Sequence, residues 1–219
     1  MKFFVKAAKY LVFCTALTII LFVSCTNSKP EITYGFILSV LYHTDDGPRE
    51  RFSFFIIPDD KDGLENLDEL YLYNDREQLR WHIKSDDWVS YTQDGKTWIG
   101  TRSIAARESR LPRGVYRAVL FNKGGEKTER NFTFDGNVRY AFPELEIANG
   151  KYTVRSEWPA NRLVCFDRTG EYSATVDLPS LTGNISDLKL PSNIRTVALW
   201  AEDIFSYCSA YTNIVAVNN

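Results

Sequence analysis

Apolar and polar positions alternate with a period of two along most of this chain, and clusters of Gly, Pro, Asn and Asp interrupt the alternation. Residues 35–42 (GFILSVLY) and 51–57 (RFSFFII) are apolar, β-rich runs separated by the turn formers of residues 43–48, which predicts a first hairpin. Leu64, Leu67 and Leu70 have the spacing of a helical turn, but Leu70 and Leu72 with the tyrosines around them read better as a strand. Residues 79–84 (LRWHIK) alternate again. In residues 88–100, Asp94-Gly95 supplies the positive φ angles that a two-residue type I′ hairpin needs, which sets Tyr91 opposite Trp98. Further on, Arg117 to Phe121 and a strand ending at Phe134 flank the Gly-rich loop 122–126. That pairing puts Tyr116, Ala118 and Leu120 on one face, with Phe132 and Phe134 as counterparts across the core.

Beyond Gly136 the alternation restarts. Asn149-Gly150 predicts another type I′ hairpin, with Leu145, Ile147, Tyr152 and Val154 on one face. Residues 163–166 and 172–178 form a further hairpin around Arg168-Thr-Gly170. Residues 194–200 and 211–217 read as strands, with a helical turn or a loop over 202–210 between them. The fold class is therefore mainly β. Pro112-x-Gly114-x-Tyr116 ahead of a strand, loop and final strand resembles the late hairpin of immunoglobulin-like and fibronectin-type sandwiches, where such a tyrosine bonds back to the chain. The resemblance implies an antiparallel immunoglobulin-like sandwich over residues 32–136, followed by a second, smaller β module over 137–219.

The first 25 residues follow a different pattern. Lys2, Lys6 and Lys9 form a cationic segment, residues 10–22 are apolar, and Ser24 is a small residue before a cleavage point, the layout of a secretory signal. The run is short for a bilayer span, which asks for about 20 apolar helical residues. Phe22-Val23-Ser24-Cys25 resembles the lipobox of bacterial lipoproteins, with Phe22 where that family usually carries Leu. The resemblance implies a signal peptide over 1–24, acylation (palmitate) at Cys25, a tether over 25–31 and attachment to a bacterial membrane, the outer membrane favoured over the inner. With Asp62-Gly-Leu-Glu-x-Leu67 and Lys96-Thr-Trp-Ile-Gly100, the whole chain is similar to uncharacterised lipoproteins of spirochaetes, a family that implies location and fold but no activity.

The signal holds three lysines and no acid, so its removal takes the formal charge from -2 to about -5, which argues against a nucleic-acid footprint. Cys14 leaves with the signal and Cys25 takes lipid. Cys165 and Cys208 remain, and either a disulfide or two buried thiols fits them. Nucleophile elbows, phosphate loops, dinucleotide fingerprints and zinc spacings are missing, and no cofactor is implied. His43 borders a polar turn and His82 alternates inside a strand, where a solvated imidazole is the ordinary outcome. The acidic run Asp59, Asp60, Asp62, Glu65, Asp68 and Glu69 offers weak metal candidates in Asp60 and Asp62. The twelve-residue calcium frame that fits Gly63, however, puts Pro58 where an aspartate is required. Trp88, Tyr91 and Trp98 are weak candidates for a sugar-stacking face, against core packing as the ordinary role of aromatics. The sequence thus describes a membrane-anchored, non-enzymatic binding or structural module whose partner is an unidentified envelope protein or glycan. The alternative is a carbohydrate-binding protein or an accessory to an envelope enzyme.

Overall fold

A computed structural model describes residues 28–217. The two early apolar runs extend into long strands, β1 (Glu31–Thr44) and β2 (Gly47–Asp59), joined by a tight turn at Asp45 and Asp46. One face of β1 buries Ile37 and Leu41, while its other face carries Phe36, Leu38 and Val40, so neither face is polar. A single 3-10 turn at Leu64–Asn66 takes the first of the ambiguous leucines, and Leu67 opens β3 (Leu67–Asn74). β4 (Leu79–Lys84), β5 (Val89–Gln93), β6 (Lys96–Ile104), β7 (Gly114–Asn122) and β8 (Lys127–Phe134) follow. Asp94 and Gly95 have φ of 51° and 71°, and the turn pairs Tyr91 with Trp98.

These strands make two layers, β1-β2-β6-β5 and β4-β3-β7-β8. In immunoglobulin lettering they are A-B-E-D against C′-C-F-G, so the first eight strands form an immunoglobulin-like sandwich. Phe52, Phe54 and Ile56 from one layer bury against Leu70, Leu72, Tyr116 and Leu120 from the other. The Tyr116 hydroxyl donates to the Pro112 carbonyl at 2.6 Å, and its burial pushes the phenol up to about 12. Gly100 lies where β6 crosses β2 so closely that a Cβ would come within 2.0 Å of the Phe54 carbonyl oxygen.

The remaining strands are β9 (Glu144–Ala148), β10 (Lys151–Arg155), β11 (Ala160–Phe166), β12 (Tyr172–Asp177), β13 (Thr182–Asn184), β14 (Thr196–Asp203), β15 (Cys208–Tyr211) and β16 (Val215–Ala216). The sheet β13-β10-β9 covers β12-β11-β14, with Tyr152, Val154, Leu163, Val197 and Leu199 between them. This repeats the first arrangement as A-B-E against C′-C-F-G, with β15 and β16 as two stretches of the last strand. The segment expected as a helical turn or loop over 202–210 is instead the end of β14, a turn at Ile204–Tyr207 and the start of β15. Its turn is too short to leave room for a helix.

β15 pairs in parallel with β1, from Ser39 with Cys208 to Tyr42 with Tyr211. The two halves therefore share one nine-stranded sheet, β12-β11-β14-β15-β1-β2-β6-β5, with β16 also on β14. A buried ion pair lies beside the join. Glu50, 2% exposed, accepts from Ser39 Oγ at 2.5 Å, the Leu111 amide at 2.7 Å and Arg113 Nη1 and Nη2 at 2.8 Å each. Arg113 Nε then donates to the Gly136 carbonyl at 2.6 Å, at the passage into the second half.

The expected signal peptide over 1–24 and the expected lipidation site Cys25, with Thr26 and Asn27, lie outside the described residues. Of the expected tether, Ser28–Pro30 rest on the body and Glu31 already belongs to β1. No helix among the described residues is long and apolar enough to cross a membrane.

Candidate functional site

The outward face of the shared sheet forms a trough of about 490 Å³. Strand alternation decides what lines it. Residues of β1 and β2 at one parity enter the core, and those at the other, Phe36, Leu38, Val40, Arg51, Ser53 and Phe55, face outward. Tyr91 and Arg102 continue this wall on β5 and β6, while Arg162, Val164, Tyr172, Thr175, Trp200 and Tyr211 form the opposite wall from the second half. The trough exists because β15 joins β1.

One wall is an aromatic cluster. Tyr91 and Trp98 are parallel to within 6° at 6.1 Å, Phe55 meets Tyr91 edge-on at 5.3 Å, and Phe36 lies 5.3 Å from Trp98 and 5.9 Å from Phe55. Across the trough, Trp200 and Tyr211 meet at 6.1 Å. Burial raises the Tyr91 and Tyr211 phenols above their ordinary range.

The lining contains three arginines and no Asp, Glu, His or Cys. Arg162 is held by Asp177 at 2.8 Å and Glu202 at 2.5 Å, and Glu202 also accepts from the Trp200 indole at 3.0 Å. Arg51 and Arg102 make no ion pair among the described residues. Arg51 sits 5.0 Å over the Tyr42 ring with its buried Nε unpartnered, and Arg102 sits 6.0 Å over Phe55. Each guanidinium is oriented by a ring and keeps donors free.

Of the aromatic candidates from sequence, Tyr91 lines the trough and Trp98 stacks behind it outside the lining, but Trp88 does not join them. It precedes β5 in the turn, donates its amide to Lys84 and packs on the sandwich core. Asp60 and Asp62 serve a different purpose from the metal loop they suggested. Asp62 Oδ2 accepts from the Ser28 amide at 2.6 Å and hydroxyl at 2.8 Å, and Asp60 Oδ1 accepts from the same hydroxyl at 3.0 Å. Asn122 Nδ2 donates to the Ser28 carbonyl at 2.7 Å, completing a clasp on the N-terminal segment. The amide bond from Ser28 holds the Asp62 carboxyl below the usual range. No group of three or more potential metal ligands occurs among the described residues.

Cys165 and Cys208 are separate thiols, on β11 and β15 in different cores. Burial pushes each up to about 11. His82 stacks on Tyr71 at 4.3 Å and lies 3.1 Å from Glu69, while His43 lies against Phe142. Sequence reasoning missed Arg51 and Arg102. The signal for them was the absence of alternation in residues 35–42, since a strand apolar on both faces has work for both.

The fold and this face define a mainly β protein of two immunoglobulin-like units with an aromatic, arginine-bearing trough across their common sheet. No family model matches the chain, and no curated protein matches it. Among solved structures it is loosely similar to Tp47, the 47-kilodalton lipoprotein of Treponema pallidum, at 14% identity and a TM-score of 0.43, over 87% of this chain and 52% of that one. The chain thus spans about half the length of Tp47. Dimeric latent PorU from Porphyromonas gingivalis gives 13% identity and a TM-score of 0.35 over 89% of this chain and 20% of its own. Murine CEACAM1b gives 10% and 0.25 over 84% and 99%. Likenesses this loose do not bear on function.

Proposed function

We propose that this chain is a lipid-anchored, non-catalytic binding module of a bacterial cell envelope, and that the trough is its binding face. The observation that carries the binding half is the lining itself. Aromatic and aliphatic side chains with two unpaired guanidiniums suit recognition, whereas the carboxylates, imidazoles and thiols that serve as bases and nucleophiles are missing from it. The anchor half is supported by the lipobox-like Phe22-Val23-Ser24-Cys25 and by the clasp on Ser28. Thr26 and Asn27 alone separate Cys25 from the clasp, so at about 3.4 Å per residue the acylated cysteine lies within roughly 10 Å of the folded body.

Labelled palmitate and membrane fractionation test the anchor in cells expressing the full chain or Cys25→Ala. The parent chain is expected to take label and sediment with membranes, and the variant to take none. A variant that stays membrane-bound through an uncleaved helix, or an unlabelled parent, refutes the lipid anchor.

A further inference from the structure

We propose that the trough binds an anionic glycan, a sugar chain bearing carboxylate, sulfate or phosphate groups; this deepens the reading of the trough as a binding face and rests on it. Three observations converge. Aromatic rings stand on both walls, Tyr91 backed by the parallel Trp98 on one and Trp200 with Tyr211, crossed at 63°, on the other, and ring faces suit the apolar C–H faces of pyranose rings. Between them, the hydroxyls of Ser53, Tyr91, Thr175 and Tyr211 can exchange hydrogen bonds with sugar hydroxyls. Arg51 and Arg102 supply the forked donors that match carboxylate, sulfate and phosphate, and no acid in the lining neutralises them. On a chain of net negative charge, this is a locally cationic depression.

Other occupants fit less well. An extended peptide gains affinity by adding to a free strand edge. Here β1 carries β2 on one edge and, over Ser39–Tyr42, β15 on the other, and β14 lies between β11 and β15, so at the seam the floor's backbone donors and acceptors are already paired. An acyl chain asks for an enclosed cavity that removes most of its surface from water. This trough is open along its length.

The test is isothermal titration of the full chain in detergent micelles against polygalacturonate, dextran sulfate, neutral dextran and polyglutamate. Polygalacturonate, dextran sulfate or both are expected to bind, more weakly as salt rises, and neutral dextran and polyglutamate are expected not to. Arg102→Gln and Tyr91→Ala are each expected to weaken binding by roughly tenfold or more, the scale of one charge-assisted contact or one stacked ring. Because Arg102 is exposed, its variant keeps the parent's melting temperature. Polyglutamate binding as strongly as the glycans, and lost in both variants, would overturn the sugar assignment while leaving the trough a binding face. Neutral dextran binding equally well would overturn the anionic assignment. Binding indifferent to both variants, or no binding by any probe, would overturn the inference and the binding face together.

Discussion

Replacing Arg113 by methionine removes the fork that closes around Glu50 and leaves a carboxylate, 2% exposed, with only Ser39 Oγ and the Leu111 amide. It also frees the Gly136 carbonyl, which accepts from Arg113 Nε at 2.6 Å. Breaking one side of a buried ion pair strands the other charge, a loss of about 3–5 kcal/mol. At about 2–4 °C per kcal/mol for a chain of this size, the melting temperature should fall by roughly 6–20 °C. The double variant, with methionine at both Glu50 and Arg113, leaves no stranded charge. It is expected to recover most of the loss, because well-packed apolar side chains commonly replace a buried pair without cost. Urea unfolding followed by tryptophan fluorescence measures all three proteins. A single-variant loss below about 1 kcal/mol, or a double variant as unstable as the single, would refute the stranded-charge reasoning.

Tyr116→Phe deletes the 2.6 Å bond to the Pro112 carbonyl and should cost about 1–3 kcal/mol in urea unfolding; in the parent, ultraviolet titration should find one phenol ionising near 12, well after the ordinary tyrosines. The Asp62 carboxyl should titrate below the ordinary aspartate range by NMR and move only part of the way back in Ser28→Ala, which removes the hydroxyl bond and keeps the amide bond. Its folded value is the depressed one, so the clasp's contribution is complete above the ordinary range and lost as pH falls through the lowered value; hydrogen exchange at the Ser28 amide should lose protection over that interval. With both thiols raised to about 11, Cys165 and Cys208 should resist a disulfide reagent at pH 7.5 in the folded protein and react once urea exposes them. Rapid labelling of the native protein would contradict their placement.

What the sequence disclosed follows from the range of the interactions involved. Asp94-Gly95 and Asn149-Gly150 announce their hairpins because the turn's φ requirement is met by the two residues themselves. The Tyr116 bond was equally legible, since its acceptor is four residues away. The parallel seam between β1 and β15 was not, because the Ser209 hydroxyl bonds to a carbonyl 170 residues distant and no local propensity encodes that partner. Asp60 and Asp62 looked like a weak metal site for the same reason. Their common partner, Ser28, lies more than 30 residues upstream in a segment read as tether. Trp88 was grouped with Tyr91 and Trp98 by proximity, yet it lies outside the paired strand and turns to the core.

β1 accounts for most of what the chain can do, because each of its sides has a separate task. One face supplies Ile37 and Leu41 to the sandwich core, and the other supplies Phe36, Leu38 and Val40 to the trough. One edge carries β2, and the other, over Ser39–Tyr42, carries β15 and so the second half of the chain. Its N-terminal end emerges from the Ser28 clasp, which follows Cys25 by three residues in the sequence. A polar outward substitution such as Leu38→Lys, at a half-buried position, leaves the core face intact but places an ammonium in the trough beside Ser53, its cross-strand partner. Disruption of the trough and disruption of the fold are therefore separable on the same strand. The repeated topology alone does not create the trough: two sandwiches linked end to end would present two independent faces. The parallel seam turns them into opposing walls of one trough.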